Sequence, residues 1–322
     1  WLMSFISNIP NHKNNTIATA KMAIESRKEF NRIVSDEKLE IDLIKRGILH
    51  LCHTKESFDY GMKINKWLNE AGLDRNPISI DEIKKIEPTI NIKNVYGGFY
   101  TKSDMTGDIH LFTKQLSKVC MKNGVKFNFR SYVKNIKHLK QQIKIVYNRD
   151  ESQIEDFFNG VVICAGVNSK RLASLLNDNV NIYPVKGYSI TVMLNDKNSR
   201  LNAPTTSLLD DDAKIVTSRL GENRLRIAGT AEFNGYNTDI RSDRILPLIK
   251  WCNELFPRVS TEECIPWAGL RPMMPNMMPK VGKGKLPGIF YNTGHGHLGW
   301  TLSNLTAQLI SDQIVRNDNS LA

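Results

Sequence analysis

The chain has 322 residues, of which 41% are hydrophobic, and a formal net charge of +11. That length can fill more than one core, and no apolar run approaches the roughly 20 residues of a membrane-spanning helix. The lysines are spread along the chain with no Arg-rich cluster among aromatics, which argues against a nucleic-acid surface. The five cysteines (Cys52, Cys120, Cys164, Cys252, Cys264) are scattered. No CxxC or Cys/His spacing supports a metal site, so buried free thiols in a reducing compartment are expected.

The chain opens at Trp1, inside an apolar stretch with no basic n-region or cleavage site, so no secretory signal is read there. Thr16 to Val34 has no Gly or Pro and predicts a helix. GILHLC (Gly47–Cys52) predicts a short buried strand. Thr54 caps a helix to about Glu70 that Gly72 ends, and a short helix from Asp81 stops before Pro88. A strand ends near Thr101, a polar turn crosses Ser103 to Gly107, and a helix starts near Asp108. VKFNFR (Val125–Arg130) alternates and predicts a strand, and YVKNIKHL with IKIVYN predicts a hairpin. GVVICAG (Gly160–Gly166) is a continuous apolar run ending in small residues. It predicts a strand buried on both faces, as in a parallel sheet, with a helix over VNSKRLASLL.

From Tyr183 the pattern changes. GYSITVML, AKIVTSRL and RLRIAGTAEF alternate with polar turns between them and predict an antiparallel sheet. A helix follows from about Asp243 to Leu255. GIFYNT predicts a strand, and a last helix from Leu298 aligns Leu298, Leu302, Leu305 and Leu309 on one face. The fold class is α/β with a separate antiparallel sheet, and the chain crosses between the two more than once.

Four stretches can carry chemistry. NTGHGHLGW (Asn292–Trp300) places three glycines and two histidines at a strand-to-helix turn. There the backbone can approach a ligand, and a helix N-terminus offers unpaired N–H donors to an electron-rich group. A tight turn needing positive φ is the competing reading. In WAGLRPMMP, Arg271 can grip a carboxylate through two parallel hydrogen bonds, or sit in an ordinary ion pair. In PVKGYSITV, Lys186, Gly187 and Tyr188 enter the antiparallel sheet, with Tyr188 either a ligand contact or core. ICAGVNS (Ile163–Ser169) resembles the end of a strand in a dinucleotide-binding domain, where small residues let a cofactor pass close.

In chain order, SDMTGDIHLFT, YPVKGYSITV, RIAGTAEFNGYNT, WAGLRPMMP and NTGHGHLGWT resemble the D-amino acid dehydrogenase small-subunit family. This family lies within the FAD-dependent D-amino acid oxidase superfamily. The resemblance implies a Rossmann-like FAD-binding domain, incomplete at its N-terminus, plus an antiparallel-sheet substrate domain. Substrate-domain segments would span 1–96 and 182–264, and FAD-domain segments 97–181 and 265–322. The family opens with a GxGxxG turn on its first strand, which seats the FAD pyrophosphate. No such turn is read anywhere in this sequence, so the resemblance implies about a hundred absent N-terminal residues, a cut tail, and a piece inactive by itself. It departs again after Pro272. Met274, Pro275, Asn276 and Met277 stand where the family has Thr-Pro-Asp-Gly, which puts any role of that acid in doubt. His297 replaces a threonine.

Carried over by residue, Gly294, His295, Gly296, His297, Leu298 and Gly299 would lie along the flavin. Val133 would meet the adenine side through its backbone, and Ala165 and Gly166 would line the cofactor. Arg271 would hold the substrate carboxylate and Tyr188 would cover the substrate. No protein side chain is expected to be catalytic, because FAD performs the hard step. The implied activity is oxidative deamination of D-amino acids to 2-oxo acids and ammonia, with electrons passed to a quinone or respiratory acceptor. The location would be cytoplasmic, with a basic surface compatible with peripheral attachment to the inner face of the membrane. Alternatives are a glycine- or sarcosine-type amine oxidase using oxygen, and an inactive fragment without the pyrophosphate site.

Overall fold

The structure, a computed structural model, describes residues 1–318. The first half runs α1 (Leu2–Asn8), α2 (His12–Asp36), β1 (Ile48–Cys52), α3 (Lys55–Glu70), β2 (Arg75–Ile78), α4 (Ile80–Ile86), β3 (Gly97–Thr101), α5 (Ile109–Lys122), β4 (Ser131–His138), β5 (Ile143–Arg149) and β6 (Ser152–Phe158). The second half runs β7 (Val161–Ile163), α6 (Ser169–Ser174), β8 (Tyr183–Met193), α7 (Lys197–Asn202), β9 (Ser207–Asp210), β10 (Ile215–Leu220), β11 (Arg224–Glu232), α8 (Ser242–Leu255), β12 (Cys264–Met273), β13 (Lys280–Lys283), β14 (Ile289–Thr293) and α9 (Gly299–Asp318).

Helix starts follow their caps. Thr54 and Ser57 form a reciprocal capping box at α3, and Ser79 and Glu82 form one at α4. Asp108 accepts from the His110 and Leu111 N–H groups at 2.8 and 3.2 Å. Each cap satisfies donors that the first helical turn leaves open.

Strands β12-β8-β11-β10-β9-β1-β3-β2 form one large sheet, antiparallel except for the β1–β9 pair. One face packs Tyr188, Ile190, Val192, Leu225 and Ile227 against Leu248, Trp251 and Leu255 of α8. Strands β13-β14-β7 form a second sheet in which β14 and β7 run parallel, and β4-β5-β6 form a third. Ile136, Ile163, Leu172 and Tyr291 share the core between these smaller sheets and α6. Elsewhere Phe30 of α2 and Phe112 of α5 meet Trp300 of α9 at ring separations of 5.2 and 4.9 Å.

Several expectations change. Residues 125–130 form no strand. They alternate, but no neighbouring strand pairs with them, and a ladder needs a partner. Their apolar side chains stay open, with Phe129 69% exposed. β7 is three residues long at the edge of its sheet, and Val162 is exposed rather than buried on both faces. On α9 the buried side is Leu302, Thr306 and Ile310, while Leu309 faces solvent. The helix packs between α2 and β13–β14, which rotates the buried stripe. The boundaries at 97 and 265 cut through the large sheet, because β3 pairs with β1 and β12 pairs with β8 along its length. Nor does α2 belong with the large sheet alone, since it packs along α9. Of the five cysteines, all free, only Cys52 and Cys252 are buried, and Cys164 is exposed.

Candidate active site

β7 and β14 are adjacent parallel strands, with Val161 opposite Ile289 and Ile163 opposite Tyr291. The segments after them therefore emerge side by side, at the strand ends where open α/β sheets bind ligands. Ala165 and Gly166 leave one strand, and Gly294 to Gly299 leave the other. The Ser169 and Thr293 hydroxyls join the two segments at 2.7 Å. Gly166 has φ +55°, and nothing stands within 4 Å of where a Cβ would be, so this edge is open. Val133 is tied in by Arg171, whose Nη2 donates to its carbonyl at 2.8 Å and whose guanidinium lies over the Tyr132 ring. The Arg171 Nε is buried without a partner among the described residues.

The glycine turn is clamped to the end of β12. Gly294 and Gly296 have φ of +78° and +59°, a region costly for residues with a side chain. The Gly296 N–H donates to the Pro272 carbonyl at 3.0 Å. A Cβ on Gly294 would sit 2.5 Å from the Met274 Cγ, and one on Gly296 would sit 2.7 Å from the Met273 Sδ. These glycines therefore make room for two methionines, a different use from the close ligand approach expected of them. Gly294-x-Gly296-x-x-Gly299 has the spacing of the dinucleotide fingerprint, which corrects the expectation that no GxGxxG is present. With Met273 and Met274 in the space beside it, it does not form a pyrophosphate cradle. What the turn leaves open is the start of α9. The N–H groups of Gly299, Trp300 and Thr301 find no acceptor among the described residues, as the first turn of a helix leaves them.

The two histidines separate in role. The His295 Nε2 lies 3.0 Å from the Thr306 Oγ1 on α9, a contact that fixes the turn. His297, with Leu298 and Thr301, lines a cavity of about 610 Å³ shared with Phe5 and Ile9 of the N-terminal segment and with Met277. Burial holds both imidazoles below their usual range, and the Arg271 guanidinium lowers His297 further. Both are therefore neutral at pH 7, and His297 lies within the field of Arg271.

Arg271 and Tyr188 stand on opposite faces of the large sheet. A Cβ on Gly187 would collide with the Arg271 guanidinium, and successive residues of a strand point to opposite sides. Tyr188 is accordingly in the core under α8, with its hydroxyl donating to Glu232 at 2.5 Å. It does not cover a ligand at Arg271, which corrects the role expected of it. Arg271 makes no ion pair among the described residues, its Nη1 donates to the Thr230 carbonyl at 2.8 Å, and burial lowers its pKa. An aromatic trio not foreseen from the sequence lies at the same end of β12. Trp1 packs on Tyr183 and Phe233 with centroids 5.7 and 6.0 Å apart, and its Nε1 donates to the Met273 carbonyl at 2.8 Å. The three are far apart in the chain, so no local pattern could have joined them.

Among the described residues no group of His, Cys, Asp or Glu is arranged to hold a metal ion, and no helix is long and apolar enough to cross a membrane.

The profile of a family described as DAO, FAD dependent oxidoreductase, matches residues 1–313. A D-amino acid dehydrogenase 3 of Mesorhizobium japonicum is 51% identical over 311 residues, covering 97% of this chain and 75% of that protein. A D-amino acid dehydrogenase of Dechloromonas aromatica is 35% identical, covering 94% of this chain and 72% of that protein. Among solved structures, glycine oxidase from Geobacillus kaustophilus superposes with a TM-score of 0.81 at 20% identity, covering 92% of this chain and 78% of the other. L-α-glycerophosphate oxidase from Mycoplasma pneumoniae with FAD bound gives 0.80 at 16% identity, covering 93% and 82%. At such identities the two structures speak to the fold alone.

Proposed function

The chain belongs to the DAO family of FAD-dependent oxidoreductases, and we propose that it oxidises D-amino acids to imino acids, which hydrolyse to 2-oxo acids and ammonia. The two dehydrogenases with which it shares 51% and 35% identity support D-amino acids as the substrate class. The residues present fit the FAD that the family uses. The N–H groups without an acceptor at the start of α9 suit the electron-rich oxygen edge of a flavin, and the open edge at Gly166 leaves room beside it. Val133 has a further lone pair on its carbonyl beyond the one used by Arg171.

When bound, FAD supplies the acceptor for the hydride leaving the α-carbon. The chain's own task is to place that carbon. Arg271 clamps the carboxylate, which fixes one end of the substrate. A neutral His297 leaves Arg271 as the cation that selects for the carboxylate. The turn residues Gly294 to Gly299 hold the helix end in register with β12. We place the electron acceptor among quinones or respiratory carriers. The net charge of +11 suits a protein that visits an anionic membrane surface.

The single observation carrying this reading is Arg271, a half-buried guanidinium without a carboxylate partner among the described residues. Replacing it tests the reading in the flavin-loaded protein. Arg271→Ala is expected to raise the KM for D-alanine by about a hundredfold, from the loss of a charged hydrogen-bonded pair worth roughly 3 kcal/mol. An unchanged KM would remove Arg271 from the substrate site.

A further inference from the structure

Resting on that reading of Arg271, we propose that Gly187 and the bulge at Thr230 form a seat that aims the guanidinium, which makes them positioning residues for carboxylate substrates. Gly187 lies inside the 11-residue strand β8, between β11 and β12. A glycine inside a strand weakens it and marks a close approach by something else. Here the approaching group is Arg271. Its Nη2, Cζ and Nη1 lie 2.3, 2.4 and 2.4 Å from where a Cβ on Gly187 would be. The guanidinium thus rests flat on the β8 backbone.

The other half of the seat comes from β11. Its pairing with β8 runs in register to Gly229 opposite Tyr188 and resumes at Glu232 opposite Lys186. Thr230 and Ala231 together face the single residue Gly187. Thr230 has φ +60°, an outlier for a β-branched residue that persists only where its surroundings hold it. The bulge turns the Thr230 carbonyl onto the Arg271 Nη1 at 2.8 Å. The Thr230 hydroxyl is buried without a partner among the described residues, so the side chain gives the bulge no polar anchor there. The anchor lies beyond it, on the core side. Glu232 accepts from Tyr188 at 2.5 Å and pairs with the fully buried Lys186 at 3.4 Å. Lys186 in turn donates to Asn237 at 2.8 Å.

With Nη1 tied to Thr230, the Nε and Nη2 edge of Arg271 has no acceptor among the described residues. Those two N–H groups are parallel and match the two oxygens of a carboxylate. Bulges often re-aim a side chain beside a binding site. In this seat the bulge and the glycine do so together.

The test is Gly187→Ala, made alone and with Arg271→Ala in the flavin-loaded protein. Binding of propanoate, a carboxylate that cannot react, is read by calorimetry, and KM and kcat are read with D-alanine. The added methyl displaces the far end of a flexible side chain, so melting temperature and flavin content are expected to hold. Propanoate affinity should fall and KM rise by about tenfold or more, with kcat changed far less, as expected for a charged hydrogen-bonded pair that loses its alignment. The double variant should bind propanoate no worse than Arg271→Ala. Should Gly187→Ala unfold, rescue by Arg271→Ala would be the same clash read as stability, and no rescue would overturn the seat. Normal propanoate binding by Gly187→Ala, or additive losses in the double variant, would also overturn the seat. Both outcomes would leave Arg271 in place if its own variant loses binding. Normal binding by Arg271→Ala would instead overturn the substrate reading on which the seat rests.

Discussion

Gly296 and Gly299 sit three residues apart in one turn and respond to a methyl in opposite ways. A Cβ on Gly296 would meet the Met273 Sδ at 2.7 Å in a backbone with φ +59°. The backbone alone costs an alanine about 1–2 kcal/mol there. Gly299 begins α9, and its nearest neighbour to a Cβ is the His295 Cβ at 3.9 Å. In a helix, alanine is favoured over glycine by about 1 kcal/mol. Gly296→Ala is therefore expected to lower the midpoint of urea unfolding, and Gly299→Ala to leave it unchanged or raise it. Equal losses in both would mean that the turn is not held by the methionines. The same residues show what the sequence could and could not tell. Positive φ at the turn was legible from the glycines themselves. That methionines would occupy the space they leave depends on β12, which arrives from elsewhere in the chain.

At the scale of elements, a polar staple ties β1, β9 and α8 together. The His53 Nε2 lies 2.7 Å from the Asp210 Oδ2, which also accepts from the Trp251 Nε1 at 2.7 Å, and the His53 Nδ1 lies 2.7 Å from the Asn94 carbonyl. The hydrogen bond to Asp210 chiefly raises the His53 pKa, from 6.5 to about 9. Burial pushes the Asp210 carboxyl up, but the bonds from His53, Ala213 and Trp251 outweigh it and hold it low. The folded state thus keeps a proton on His53 that the unfolded chain releases near pH 6.5. Its contribution is fully present below that pH and is lost as pH rises through about 9. At 1.36 kcal/mol per pKa unit, and allowing for screening of a partly open side chain, this is about 2 kcal/mol. Wild type minus His53→Gln stability is expected to shrink by that amount between pH 6.5 and 9.5. A difference independent of pH would contradict a charged staple. The sequence carried no sign of this contact, since its partners are 157 and 41 residues apart. It did reveal the elements themselves. The caps at Thr54 and Asp108 and the alternation in GYSITVML and RLRIAGTAEF are local, and those helices and strands form where expected. VKFNFR has the same alternation and forms no strand, because pairing is settled by a neighbour. Tyr188 was misassigned for a related reason. Alternation puts it opposite Gly187, but only the packing of α8 shows which face is the core.

Across the whole molecule, the large sheet carries Arg271 and the small β13-β14-β7 sheet leads into the start of α9. The proposed site depends on β12 ending against the turn that follows β14, with Met273 bridged to His295. The ordered motifs made the family legible, since they recur in sequence at fixed places along the chain. Which sheet each segment joins was not, because β3 and β12 lie next to segments of the smaller sheets in sequence and pair elsewhere. The basic charge is likewise a property of the whole surface, with no single patch in the sequence to carry it.

The most direct test of the account is the visible absorption spectrum of the flavin-loaded protein mixed with D-alanine in the absence of oxygen. The flavin bands are expected to bleach, and to return when a soluble quinone is added. Bands that persist with D-amino acids but bleach with glycine or sarcosine would contradict the assignment of substrate, and a protein that takes up no flavin would contradict the account as a whole.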